Sequence, residues 1–224
     1  MKTDFEDYLI DAKLHIETTG RNDSFSTAHL YPYEPTFYPV LDRLIESGYI
    51  GREDLVLDYG YGKGRVPIYL NHKIGCRTIG VELMDGFYGA ALKNVDRYHK
   101  HVKAADNTDI EIVHLSAQKY VIPKSVNCFF FFNPFSIEVF KSVMGKVVEA
   151  YYEKERRMLL FFYYPQDEYI AYLSTIDEGM FVDEIDCRDL FPERDSRNRI
   201  LIYEIGTGLE GNSFLSPSSP RSFM

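Results

Sequence analysis

The stretch Asp54-Leu55-Val56-Leu57-Asp58-Tyr59-Gly60-Tyr61-Gly62-Lys63-Gly64-Arg65 decides the fold. Leu55 to Asp58 is a short apolar run ending in an acid, which reads as a buried strand. Gly60, Gly62 and Gly64 follow at alternate positions. Arg65-Val66-Pro67-Ile68-Tyr69-Leu70 then reads as a helix, with Pro67 in the first turn, where its missing N–H costs nothing. Strand, glycine turn and helix in this order open a βαβ unit of the kind that binds nucleotides. Glycines let the backbone turn sharply and approach a ligand closely, and a helix N-terminus favours a negative group. The spacing differs from the G-x-G-x-x-G of a dinucleotide site. A second strand, Ile79-Gly80-Val81-Glu82-Leu83, also ends in an acid, placed to accept hydrogen bonds from two ribose hydroxyls. The plainer readings are a glycine-rich turn with an incidental Glu82, or a nicotinamide enzyme.

Outward from this unit, strands and helices alternate. Asp4 to Thr18 reads as an amphipathic helix with Phe5, Tyr8, Leu9, Ala12 and Ile16 on its apolar face. Phe25 to Tyr38 is dense in aromatics and prolines, including His29, Tyr31, Tyr33 and Glu34. It is expected either to close over a ligand or to pack on the surface. Thr36 to Ser47 reads as a helix stopped by Gly48. After the helix that starts at Arg65 come a strand from Arg77 to Leu83, a helix from Asp85 to about Lys103, a turn at Ala104 to Asn107, and a strand from Ile110 to Leu115. Val126 to Phe132, apolar except for Asn127, reads as a strand buried on both faces of a parallel sheet. A helix from Ser136 to about Lys154, a strand from Arg157 to Tyr164 and a helix from Gln166 to Thr175 follow. Phe181 to Cys187 and Arg199 to Ile205 read as a closing antiparallel pair at the sheet edge, joined by a charged surface loop.

Three segments are expected: 1–50, N-terminal helices and the aromatic stretch packed on the core; 51–206, the sheet domain; and 207–224, a Gly-, Ser- and Pro-rich tail expected to be disordered. The 224 residues carry a net charge of −9, which argues against generic attraction to nucleic acid, because that binding runs on phosphate neutralisation. Hydrophobic residues make up 45% of the chain, enough for a full core. Three widely spaced cysteines show no metal-ligand spacing, and no apolar run approaches a membrane span. The expectation is a soluble, cytoplasmic protein with no membrane partner and no resident metal. Oligomeric state is not legible.

A second chemical feature is Asn133-Pro134-Phe135, directly after the apolar Phe129-Phe130-Phe131-Phe132. Active sites of open α/β sheets lie beyond the carboxyl ends of the strands. Asn133 either takes part in chemistry there or simply caps the next turn, with Phe135 in the core. His29, Tyr31, Glu34 and His114 are the candidates for a general base. His72, His99 and His101 are expected to be solvated.

The Asp58-x-Gly60-x-Gly62-x-Gly64 pattern, followed by Glu82 at the end of the second strand, resembles motif I and the following acid of the class I S-adenosylmethionine methyltransferases. The likeness runs from about Glu53 to Ile205. It is greatest to small bacterial members with Phe-Phe-Asn-Pro-Phe after strand four. The resemblance implies an α/β, doubly wound, Rossmann-like seven-stranded sheet of order 3-2-1-4-5-7-6, with the last strand antiparallel and an N-terminal helical extension. It implies S-adenosylmethionine as cofactor, contacted by Asp58, Gly60, Tyr61, Gly62, Gly64, Glu82, Leu83, Ser116, Ala117 and Asn133. Leu83 or Met84 would pack on adenine, and Ser116 or Gln118 stands where the family usually has an acid for the adenine amine. Amino-methylating members carry (Asp/Asn)-Pro-Pro-(Tyr/Phe) after strand four. By that likeness Asn133, Pro134 and Phe135 would be catalytic, and the acceptor an amine or amide nitrogen of a protein or nucleic acid. The alternative is a non-catalytic, methyltransferase-like module that binds the cofactor and acts as a partner or regulatory protein.

Overall fold

The computed structural model describes residues 2–20, 33–102 and 110–206. Two helices come first, α1 (Lys2–Leu14) and α2 (Tyr38–Glu46). The sheet unit runs β1 (Leu55–Tyr59), α3 (Arg65–Ile74), β2 (Arg77–Glu82), α4 (Asp85–His101), β3 (Ile110–His114), β4 (Cys128–Phe131), α5 (Ile137–Glu153), β5 (Met158–Tyr163), α6 (Asp167–Leu173), β6 (Gly179–Asp186) and β7 (Arg199–Ile205). One seven-stranded sheet has the order β3-β2-β1-β4-β5-β7-β6. Strands β1 to β5 pair in parallel, and β7 is antiparallel to both its neighbours. The expected doubly wound, Rossmann-like sheet is present, with that strand order and that reversed strand.

Alternation along β1 supplies both cores. Leu55, Leu57 and Tyr59 face α5 and α6, where they join Phe140, Val143, Val147 and Tyr169. Val56 faces the other way, against Val40, Leu41 and Leu44 of α2 and Val66 and Leu70 of α3. The apolar run divides in the same manner. Phe131 stacks on Phe162 at 4.9 Å on one face, while Phe130 is buried on the other. Asn127 precedes the strand rather than lying in it. Its amide accepts from the Leu55 N–H (3.0 Å) and donates to Asp54 (2.6 Å), tying the start of β4 to β1. β7 sends Leu201, Tyr203 and Ile205 into one core and Ile200 and Ile202 into the other, and it pairs with β5 and β6, so β6 alone forms that edge.

The N-terminal helix differs from its sequence reading in extent and in orientation. It ends at Leu14, and His15 adopts a left-handed φ of 57°. The Asp11 carboxylate then accepts from the N–H groups of Thr18 (2.5 Å) and Thr19 (2.9 Å), which holds the chain in a turn in place of another helical turn. Phe5 (63% exposed) and Tyr8 (59%) face outward, while Asp7 and Asp11 face inward. The apolar periodicity pointed to the opposite face. A buried cation in α3, described below, outweighs it. Residues 25–32 of the aromatic stretch, the turn at 104–107 and the tail 207–224 lie outside the described residues. Among the described residues no helix is long and apolar enough to cross a membrane.

Candidate active site

The carboxyl ends of β1, β2, β3 and β4 surround a cavity of about 360 Å³. Its floor is the glycine loop. Gly60, Gly62 and Gly64 have φ of 75°, 57° and 88°, in the left-handed region that a side chain disfavours. A Cβ at Gly60 would lie 2.7 Å from the Pro134 ring, and one at Gly62 would lie 2.2 Å from the Tyr33 ring. The loop is therefore closed in from β4 on one side and from residue 33 on the other. Gly64 does not line the cavity. It sits just before α3, where a Cβ would meet Ala91 at an ordinary 3.4 Å, so backbone conformation is what it contributes.

Asp58, at the end of β1, lines the cavity and is 4% exposed. Its Oδ2 has no hydrogen-bond partner. Burial, and then the neighbouring Glu82, push its pKa well above the usual carboxylate range. Glu82 projects from the end of β2. Its Oε1 accepts from the N–H groups of Leu83 (2.8 Å) and Met84 (2.9 Å), and its Oε2 from that of Gly62 (3.1 Å). Burial raises its pKa while these three donors pull it down. Tyr61 lines the same wall, with a buried hydroxyl that has no partner. Leu83, 48% exposed, forms an apolar lip, and Ser116, Ala117 and Gln118 face the cavity from beyond β3.

The β4 wall is Asn133, Pro134 and Phe135. Asn133 has a left-handed φ of 41°, which asparagine tolerates better than most side chains. Its Nδ2 donates to the carbonyl of Tyr164, and its Oδ1 is buried without a partner. One end of the amide is thus fixed by a carbonyl, and the acceptor at the other end is left unpaired in a residue that lines the cavity. Phe135 is 5% exposed and packs edge-on to Tyr59 at 6.0 Å, while the Tyr169 hydroxyl donates to its carbonyl at 2.6 Å. Its ring is part of the core bordering the cavity and is not a free stacking plate.

Sequence reasoning missed Arg65. Arg65 lines the cavity and its side chain is 2% exposed. Nη1 donates to Asp7 and to the Thr36 carbonyl, Nε donates to Thr18 Oγ1 at 2.7 Å, and Nη2 lies 3.7 Å from Asp11. The Tyr38 ring lies against it at 4.3 Å, and the Tyr38 hydroxyl donates to Asp11 at 2.6 Å. A signal existed in the two carboxylates four residues apart on one face of α1. Of the candidate bases, Glu34 lines the cavity. His114 does not: it is 2.9 Å from the Leu83 carbonyl and stacks on Tyr88 at 4.8 Å, behind the lip. His29 and Tyr31 lie outside the described residues. His72, His99 and His101 are exposed. Among the described residues no group of three or more His, Cys, Asp or Glu side chains could hold a metal ion.

No family model matches the sequence, and no curated protein matches it. Similar solved structures carry the same architecture. An RNA methyltransferase from Salinibacter ruber, in complex with S-adenosyl-L-homocysteine, superposes with a TM-score of 0.50 at 17% identity, over 80% of this chain and 98% of that one. A human methyltransferase 10 domain containing protein gives 0.55 at 13% identity, over 89% and 93%. An rRNA methylase from Streptococcus thermophilus gives 0.51 at 11% identity, over 78% and 97%. The chain has the Rossmann-like fold on which these methyltransferases are built. At such identities the likeness concerns the fold.

Proposed function

We propose that the chain is an S-adenosylmethionine-dependent methyltransferase with a nitrogen acceptor. The observation that carries this reading is the meeting of Asp58, the glycine loop, Glu82 and Asn133 in one cavity, at the carboxyl ends of adjacent strands. The residues present fit the cofactor. The unpartnered Asp58 Oδ2 suits its ammonium group. The glycine loop admits a close approach, Glu82 has acceptor capacity toward the ribose, and Leu83 offers an apolar surface to adenine. When bound, the cofactor supplies an electrophilic methyl group on a sulfonium. The protein's share is to orient the acceptor and exclude water. Asn133 Oδ1 accepts an N–H of the acceptor, which turns the nitrogen lone pair inward. The neutral amide takes no proton, so it suits an amine or amide nitrogen that reacts uncharged.

Two of the similar structures are RNA-directed enzymes by their descriptions, so nucleobase nitrogens are the first acceptors to test. With a net charge of −9, any nucleic acid would be held by local contacts rather than by general attraction. Titration calorimetry with S-adenosylmethionine and S-adenosylhomocysteine is the decisive experiment. The expected result is micromolar binding, on the order of 8 kcal/mol, weakened about 10- to 100-fold by Glu82→Ala, as befits hydrogen bonds to a charged group. A folded protein that binds neither ligand would remove the methyltransferase reading.

A further inference from the structure

Glu82 is asked for more than its carboxylate has left. A carboxylate offers about four acceptor positions. Leu83, Met84 and Gly62 take three of them through their backbone N–H groups. One position remains, on Oε2, whereas a ribose presents two hydroxyls. The second hydroxyl needs another partner beside Glu82 and inside the cavity.

Tyr61 is built into that place. A Cβ at Gly80 would lie 2.3 Å from Tyr61 Cδ1, so the phenol ring occupies the notch that this glycine leaves in β2. Gly80 and Glu82 are two residues apart on one strand and therefore share a face. The Tyr61 side chain therefore packs on the face of β2 from which Glu82 also projects. Its hydroxyl is buried without a hydrogen-bond partner, in a residue that lines the cavity. Glu82 is the largest electrostatic influence on that phenol after burial itself. A hydroxyl both donates and accepts, so it can pair with another hydroxyl in either sense.

We propose that the Tyr61 hydroxyl and the last free position of Glu82 divide the ribose diol of the adenosyl group between them. The assignment rests on the cofactor reading above, and it makes the glycine-loop tyrosine a selector for an intact ribose.

The test is Tyr61→Phe, which keeps the ring in its notch, titrated with S-adenosylhomocysteine and with its 2′-deoxy and 3′-deoxy analogues. Wild type is expected to bind both analogues about tenfold more weakly than the parent. Tyr61→Phe should bind the parent about tenfold more weakly, and should bind one of the analogues no more weakly than it binds the parent. The unliganded variant should melt at or above the wild-type temperature, because an unpaired buried hydroxyl has been removed. Equal affinity of the two proteins for the parent ligand, or an equal loss toward all three ligands, overturns the assignment while leaving the cofactor reading intact. Wild type that binds none of the three overturns both.

Discussion

At the level of single residues, Asp58 sets ligand binding against stability. Its carboxyl is buried, half unpartnered and beside a second acid, so the folded state holds its proton well above the ordinary value of 3.8. Below 3.8 both the folded and the unfolded chain carry the proton, and the group does not influence stability. As pH rises past 3.8 the unfolded chain releases the proton and the folded chain keeps it. Wild type then loses stability relative to a variant that cannot ionise, by at most about 1.4 kcal/mol per pH unit. Thermal melts of Asp58→Asn without ligand should therefore run above wild type. The gap should widen as pH climbs from about 4 and level off once the folded carboxyl has ionised. The same variant should bind S-adenosylmethionine at least tenfold more weakly, because an amide cannot offer the ammonium group a negative charge. A gap that narrows with rising pH would show that the carboxylate is stabilised in the fold, contrary to its setting.

At the level of elements, the tightest coupling is between the glycine loop and β2. Gly80→Ala would drive a methyl into the Tyr61 ring, and overpacking of this kind costs about 1–3 kcal/mol. With the ring removed, the two shortest contacts go and only the residue-61 Cβ, at 3.1 Å, still presses on the methyl. Gly80→Ala should therefore cost clearly less in a Tyr61→Ala background than in wild type, and urea unfolding of the four proteins should show that non-additivity. This pairing also marks where the sequence stops being legible. The strands and glycine turns could be read because burial on both faces leaves plain apolar runs, as at Phe129 to Phe132, and because Gly48, Gly60 and Gly64 stand where left-handed backbone is needed. The acids that end β1 and β2 could be read because their strands point them out of the sheet toward one crevice. Side-chain partnerships between distant segments could not be read. Nothing local says that Tyr61 lies on Gly80, that Tyr164 fixes the Asn133 amide, or that Phe135 belongs to Tyr59 and Tyr169. The orientation of α1 failed for the same reason. Its apolar periodicity is a local signal, and Arg65, distant in sequence, supplied the stronger demand.

At the level of the whole molecule, Arg65 joins the N-terminal segment to the glycine loop. It follows Gly64 directly, lines the cavity, and is held by Asp7, Asp11, Thr18, Thr36 and Tyr38. Two of these belong to α1, which does not itself line the cavity. A buried ion cluster is not by itself a strong stabiliser, but removing one partner strands a charge and costs about 3–5 kcal/mol. Asp11→Ala leaves Arg65 paired with Asp7, so its loss in urea unfolding should come mainly from freeing the Thr18 and Thr19 N–H groups and the Tyr38 hydroxyl, at about 1–3 kcal/mol for each buried group left unpaired. In an Arg65→Met background the same substitution should cost clearly less, because Asp11 there faces the like-charged Asp7 without the cation that both share. The coupling should also run from the site outward. A ligand that binds only the folded loop stabilises whatever the loop is tied to. Saturating S-adenosylhomocysteine should therefore slow amide hydrogen exchange in α1 as well as in residues 33–36. In Arg65→Met the slowing should persist at 33–36, which line the cavity, and vanish in α1. Slowing in α1 that survives the substitution would mean that the N-terminal helix responds to the ligand by a route other than Arg65.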